Sequence, residues 1–309
     1  MSTLPSPPRR TEWSPRVAER PTPLDSTWLR THPLPQPHRE TDKNGRGRVL
    51  AVGGCRTVPG GIQLTAEAAL RAGAGKVRIA TIASAATAIG VAMPEVGIVA
   101  LPETDEGEIA DAGPLAAEHT RFDAVIAGPA MASRDAAGQL VDQLVEAGAA
   151  EAVVVLDAAA LMACAPRAAA LRGCAGPLIL TPHVGEMAAM LGCEAEAVEA
   201  DRLGCVRRAA ETFGAVVVLK GAETLVSSPD GAVHAYAGGG VGLATGGSGD
   251  VLAGIAAGLA ARGAEPLAAT LWAVWLHGEA GRRCAEQIGP LGFLARELLA
   301  HVPALMRGV

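Results

Sequence analysis

Residues 178–220 read LILTPHVGEMAAMLGCEAEAVEADRLGCVRRAAETFGAVVVLK. An apolar run, 178–181, opens the stretch and a second, 215–219, closes it. Neither alternates polar with apolar residues, which is the pattern of a strand covered on both faces. Between them, 195–212 carries its apolar residues at helical spacing. A strand, a helix and another buried strand make a parallel crossover unit. Upstream the unit repeats: apolar runs at 49–52, 77–82, 124–127 and 152–156 are interleaved with helix-period stretches at 63–72 and 135–147. The sequence after Gly249 reads as largely helical to the end. These patterns predict an α/β fold with a mostly parallel central sheet and helices on both faces.

Composition sets the outer limits. Half of the 309 residues are hydrophobic and 38 are glycine, so a full core can form with close helix-on-sheet packing. The formal charge is -6. The densest basic stretch, Lys43, Arg46 and Arg48, is short and broken by glycines, so the chain lacks the basic stripe that phosphate-backbone binding needs, and no nucleic-acid partner is expected. Six cysteines stand without a C-x-x-C pair or zinc-ligand spacing, and read as small buried hydrophobes in a reducing compartment. No apolar run approaches the ~18 residues of a spanning helix, and the first residues lack the apolar region of a signal peptide. A cytoplasmic protein without a membrane partner is the expectation. Residues 1–44 differ from the rest: nine of the 21 prolines fall there, among charged residues. That segment is expected to be extended or partly disordered, with Trp13, Trp28 and Leu29 as possible anchors, and 45–309 to form one domain.

In open α/β sheets ligands sit beyond the carboxyl ends of the strands, and five of the six strand-like runs end in polar or glycine-rich tips. Ala244 to Asp250, ATGGSGD, is followed by the apolar VLAGI. Its three glycines let backbone approach an anion, and the helix behind offers unpaired N–H groups and a positive dipole end. Asp250, at that helix start, can take a proton from a substrate hydroxyl while the helix end stabilises phosphoryl charge; a plain glycine turn with Asp250 as its cap is the simpler alternative. Lys220-Gly221-Ala222-Glu223-Thr224 ends the strongest β run and can hold nucleotide phosphate or ribose. Thr181-Pro182-His183-Val184-Gly185-Glu186 ends another, and would place His183 on the same rim. Gly53 to Gly61 can form a wall or lid. Gly128-Pro129 and Asp157 complete the set, although each alone is explained as a turn residue. Neither a G-x-x-x-x-G-K-[ST] loop nor a G-x-G-x-x-G fingerprint occurs.

The order of these motifs carries a resemblance. GRVLAVGGCRTVPGG, LRAGAGKVRIAT, PEV, DAVIAGPAM, VVVLDAAAL, LILTPHVGEMAAMLG, VVVLKGAET and GLATGGSGDVLAGIAAGLAARG, with AVWLHGEAG and LGFLARELLAHVPALM after them, resemble the ADP-dependent NAD(P)H-hydrate dehydratases of the ribokinase-like superfamily. The resemblance implies a three-layer sandwich, often a homotetramer. It implies conversion of the S epimer of hydrated NADH or NADPH to the cofactor, with ADP (or ATP) consumed as co-substrate in the presence of Mg2+, and AMP and phosphate released. By position it makes Asp250 the catalytic base. It places Gly61, Gly128, His183 and Asp250 against the hydrated cofactor, and Lys220, Gly221, Ala222, Glu223, Thr224 and Gly249 against the nucleotide. It assigns no metal ligand. Relatives often carry an epimerase domain as well, so a separate epimerase is the implied functional partner for the R form.

The chain departs from the family pattern at Ala130 and Ala132, where glycines are usual, at Ala159 and Met162, where an acid and an amide are usual, and at Gly240, where asparagine is usual. Two rival readings therefore stand beside the dehydratase. One is a kinase of the same superfamily acting on a thiazole alcohol, a pyridoxal-like compound or a sugar. The other is a nucleotide-binding relative without catalysis.

Overall fold

The computed structural model describes residues 20–38, 40–115, 121–146 and 152–307. Its strands are β1 (Thr22–Pro23), β2 (Arg48–Val52), β3 (Lys76–Ile82), β4 (Gly97–Leu101), β5 (Ala124–Ala127), β6 (Val153–Leu156), β7 (Leu178–Leu180), β8 (Val216–Leu219), β9 (Glu223–Ser227) and β10 (Val233–Ala237). They form one sheet in the order β1-β10-β9-β8-β7-β6-β5-β2-β3-β4. The seven strands from β8 to β4 pair parallel, and β9 is antiparallel to both of its neighbours. The six apolar runs of the sequence are β2, β3, β5, β6, β7 and β8, and β5, β6, β7 and β8 are buried at every position.

The helices are α1 (Ser26–Thr31), α2 (Gly61–Arg71), α3 (Ala83–Ala92), α4 (Arg134–Glu146), α5 (Ala159–Met162), α6 (Ala168–Arg172), α7 (Val184–Leu191), α8 (Ala195–Ala200), α9 (Arg202–Phe213), α10 (Ser248–Ala261), α11 (Pro266–Gln287), α12 (Ala295–Leu298) and α13 (Val302–Leu305). From β2 the chain steps outward through β3 to β4; from β5 it steps the other way through β6 and β7 to β8. Right-handed crossovers then send α2 and α3 to one face and α4 to α9 to the other. The result is the expected three-layer sandwich.

Helix α10 lies across the middle of the sheet, packed on β2, β5 and β6 and on α2 and α11. Twelve of its 14 residues are buried. Helices this close need small residues at the crossing. A Cβ on Gly254 would collide with the Thr65 carbonyl and stand 2.6 Å from Ala68 Cβ. Gly254→Val is therefore expected to destabilise the fold by about 3 kcal/mol, read as a lower midpoint in denaturant, whereas the same change at Gly263, where a Cβ meets nothing within 4 Å, tests backbone strain alone because its φ is +95°.

Residues 1–19 lie outside the described residues, and Trp13 with them. Residues 22–35 are docked. β1 pairs with β10 and so covers the sheet edge. Asp25 caps α1, accepting from the N–H groups of Thr27 and Trp28. Leu24, Leu29 and Leu34 are buried. Trp28 stacks on His32, the Trp272 indole donates to the His32 carbonyl at 2.8 Å, and Arg262 donates to the Pro35 carbonyl at 2.8 Å. Three leucines and one tryptophan are enough to seat a proline-rich strap whose composition alone gives no core.

Candidate active site

The reversal of strand order between β2 and β5 opens a crevice, because the loops that follow them turn to opposite faces. Gly61 begins α2 on one side of it. A Cβ there would stand 2.6 Å from Ala130 Cβ on the other side. Gly128 follows β5 with φ +107°, and a Cβ on it would collide with the Asp157 carbonyl. Gly61 is thus held against Ala130 and Gly128 against Asp157 and Ala160, and neither position has room for a side chain. Glu108 braces the same wall: its carboxylate accepts the N–H groups of Ala132 and Ser133 at 3.2 and 3.1 Å.

The N-terminus of α10 faces this crevice. Its first turn starts from Gly247, φ +86°, and no side chain caps it. The free N–H groups of that turn carry the positive end of a 14-residue helix. Asp250 stands in the turn, and its carboxylate makes no hydrogen bond among the described residues, so it is not spent as a cap. Burial first, and then the nearby charges of Asp157 and Glu186, push its carboxyl up to about 7 against the opposing pull of Lys220. Ser248, one position from the cap, shares a 2.8 Å hydrogen bond with His277 Nε2 on α11. Burial pushes that imidazole down to about 4, so it is neutral near pH 7.

Across from the helix end lies a compact charge group. Lys220 Nζ is 3.1 Å from Asp157 Oδ1 and 3.5 Å from Glu186 Oε2. Thr181 Oγ1 donates to the same Asp157 oxygen at 2.7 Å. Burial opposes the Lys220 charge, but Asp157 and Glu186 outweigh it and the ammonium is held above its ordinary range. Glu186 is pushed up, by burial first and by Asp157, against the pull of Lys220. Gly249 sits over this group: a Cβ there would meet Lys220 Nζ at 3.3 Å.

His183 caps α7. Its Nδ1 accepts from the N–H groups of Gly185 and Glu186 at 3.0 and 3.3 Å, while Glu186 accepts the His183 N–H at 2.8 Å in return. This reciprocal box fixes the ring, leaves Nε2 to carry the proton, and keeps the side chain 60% exposed on the rim. Lys220 to Thr224 span the end of β8, an exposed turn at Gly221 and Ala222, and the start of β9. Thr224 Oγ1 donates to the Gly221 carbonyl at 3.3 Å.

The departures from the family pattern fall unevenly on this geometry. Ala130 has φ +56°, a left-handed conformation that costs an alanine roughly 1–2 kcal/mol. Gly240, φ +80° and ψ 170°, lies in an extended positive-φ region that glycine adopts without strain. Asp157 is retained and is the acid at the centre of the charge group, whereas Ala159 begins the short α5 behind it. The sequence marks Asp157 and Glu186 only as tip residues and gives no sign of the Ser248–His277 pair. The two partners are 29 positions apart, and no local pattern joins them.

A sheet with this strand order, switch point and glycine-led helix is that of a ribokinase-like α/β protein. The family model described as NAD(P)H-hydrate dehydratase matches residues 49–304. The ADP-dependent (S)-NAD(P)H-hydrate dehydratase of Xanthomonas campestris pv. campestris is 46% identical over 279 residues, 90% of this chain and 93% of that protein. The bifunctional NAD(P)H-hydrate repair enzyme of Moorella thermoacetica is 40% identical over 288 residues, 93% of this chain but 54% of its own length. Among solved structures, the ADP/ATP-dependent NAD(P)H-hydrate dehydratase of Bacillus subtilis, co-crystallised with ATP and Mg2+, superposes with a TM-score of 0.77 at 26% identity, covering 94% of this chain and 99% of that one. The chain belongs to the NAD(P)H-hydrate dehydratase family.

Proposed function

We propose that this protein is an ADP-dependent dehydratase that returns the S epimer of hydrated NADH and NADPH to the reduced cofactor, releasing AMP and phosphate. The observation that carries this is Asp250: a carboxylate with no hydrogen-bond partner among the described residues, pushed up to about 7, set in the uncapped first turn of α10. Hydroxide is a poor leaving group and phosphate a good one. Asp250 takes the proton of the substrate hydroxyl, and that oxygen bonds to the terminal phosphorus of ADP as the bond to AMP breaks. The carbon–oxygen bond then breaks with the push of the ring nitrogen, and loss of a proton from the adjacent carbon restores the double bond. The N–H groups of α10 meet the transferring phosphoryl group.

In this reading Gly61, Gly128 and His183 hold the hydrated cofactor in the crevice. Lys220 to Thr224 and Gly249 hold the nucleotide. Mg2+ fits as a companion of the nucleotide phosphates, keeping its waters. Among the described residues no group of three His, Cys, Asp or Glu is placed to cage a metal, and Asp157 and Glu186 are engaged by Lys220. The 46% identity to the Xanthomonas dehydratase supports the reaction. An epimerase acting on the R form would be the functional partner, in keeping with relatives that are named bifunctional NAD(P)H-hydrate repair enzymes. A cytoplasmic homotetramer completes the reading. Among the described residues no helix is long and apolar enough to cross a membrane.

The test is incubation with ADP, Mg2+ and chemically hydrated NADH, following return of the reduced-nicotinamide absorbance. Recovery that requires the nucleotide is the expected result. Folded protein that binds ADP but restores nothing with ADP or ATP, while phosphorylating a member of an alcohol library, would overturn the reading in favour of a kinase.

A further inference from the structure

Arg202, the first residue of α9, lies under the turn between β8 and β9. Its Nη2 reaches three carbonyl oxygens: Leu219 at 3.5 Å, Lys220 at 3.3 Å and Glu223 at 3.0 Å. Its Nη1 is 3.4 Å from Glu199 Oε2, which steadies the guanidinium from behind. Gly221 leaves the approach open, since a Cβ there would stand 2.5 Å from Nη2. The Gly221 carbonyl is taken in turn by Thr224 Oγ1. The carbonyls of Leu219, Lys220 and Glu223 are therefore drawn towards Arg202, and that of Gly221 is engaged within the turn. The N–H groups of the exposed Gly221 and Ala222 have no backbone or side-chain partner among the described residues. A turn whose carbonyls face inward and whose amides face out is a donor surface for an anion or a ribose oxygen.

We propose that Arg202 is the positioning residue of the nucleotide site: it does not touch the nucleotide but holds the 220–224 turn in its donor-outward form. This rests on the reading above that the turn binds ADP. The guanidinium is held by Nη1 on Glu199 while Nη2 meets the carbonyls, and a lysine has no second nitrogen with which to keep that orientation. Without the guanidinium, the carbonyls of Lys220 and Glu223 are free to rotate outward, replacing donors by acceptors on the surface that meets phosphate.

The experiment compares wild type, Arg202→Met and Arg202→Lys, each confirmed as folded by its thermal transition. Hydrogen exchange across 219–224 is measured without ligand, ADP affinity by titration calorimetry, and the KM for ADP and for hydrated NADH by absorbance recovery. Faster exchange in that turn, an ADP dissociation constant raised roughly tenfold, and a KM for hydrated NADH within about twofold of wild type are expected for Arg202→Met. Arg202→Lys should fall between, and carries the test if the methionine variant does not fold. Unchanged exchange in the turn overturns the proposal, as does faster exchange with unaltered ADP affinity or an equal rise in both KM values. Wild-type protein that binds neither ADP nor ATP would overturn the nucleotide site itself. Wild-type binding with an unaffected variant would overturn only the role of Arg202.

Discussion

Asp250→Asn should lower kcat for dehydration by roughly 10²–10⁴-fold while leaving ADP affinity close to that of wild type. Asparagine keeps the shape of the side chain and removes only its capacity to accept the proton. The wild-type rate should also fall on the acid side. With the carboxyl at about 7, kcat/KM is expected to drop about tenfold for each pH unit below that value. A wild-type profile flat from pH 5 to 8, or an Asn variant that turns over at the wild-type rate, would remove Asp250 from the role of base.

The same substitution should stabilise the protein, and the pH at which it does so is the sharper test. In the folded state the Asp250 carboxyl holds its proton up to about 7, against an ordinary value of 3.8. The folded state therefore binds more protons than the unfolded chain between those two values. Stability is lost as pH rises through that window, and the deficit is complete above the higher value. Burial is the main source of the deficit, so removing the charge removes the strain. At about 1.4 kcal/mol per pKa unit the ceiling is ~4 kcal/mol; water reaching the open site should reduce it to about 2 kcal/mol. Asp250→Asn is expected to melt about 4 °C above wild type at pH 8 and to match it at pH 4. Equal melting temperatures at both pH values would show that Asp250 is not held in a charge-hostile position.

Much of the fold is legible in the sequence because the central strands are buried on both faces. Their apolar runs carry no other signal, and six such runs give six strands in place. The edges are harder to read. β4, GIVAL, is largely exposed or half-buried and follows a helix whose residues are equally apolar. β10, VHAYA, mixes a histidine and a tyrosine into five residues. β1 has two residues, one a proline, and exists only because β10 offers an edge. The site divides in the same way. Asp250 is visible because three glycines announce the turn before it. Lys220 is visible as a strand-end residue, but its direction is not. The sequence leaves open whether it points to solvent or to a ligand, and tertiary pairing with Asp157, 63 positions away, decides the matter.

That pairing makes Lys220→Met the most damaging single change expected for the fold. The Asp157 side chain is 3% exposed and Glu186 10%, while Lys220 itself is 22% exposed. Methionine fills most of the volume but leaves two buried carboxylates with the Thr181 hydroxyl and the His183 N–H as their main partners. Removing one member of a buried ion pair typically costs 3–5 kcal/mol, because the charge left behind is uncompensated. The pH dependence identifies the cause. Lys220 is held above its ordinary 10.5, so its contribution is fully present below that value and is lost only as pH rises through the folded pKa. The variant, by contrast, can escape by protonating Glu186, whose carboxyl burial already pushes up, and this becomes easier as the medium grows acidic. The gap in melting temperature between wild type and Lys220→Met should therefore be widest on the alkaline side, below the ordinary 10.5 of the lysine, and narrow as the medium grows acidic. A gap of the same size throughout would point to lost packing of the lysine stem. No gap at all would mean that water, not Lys220, neutralises the two acids, and the compact charge group opposite α10 would lose its place in the account of the site.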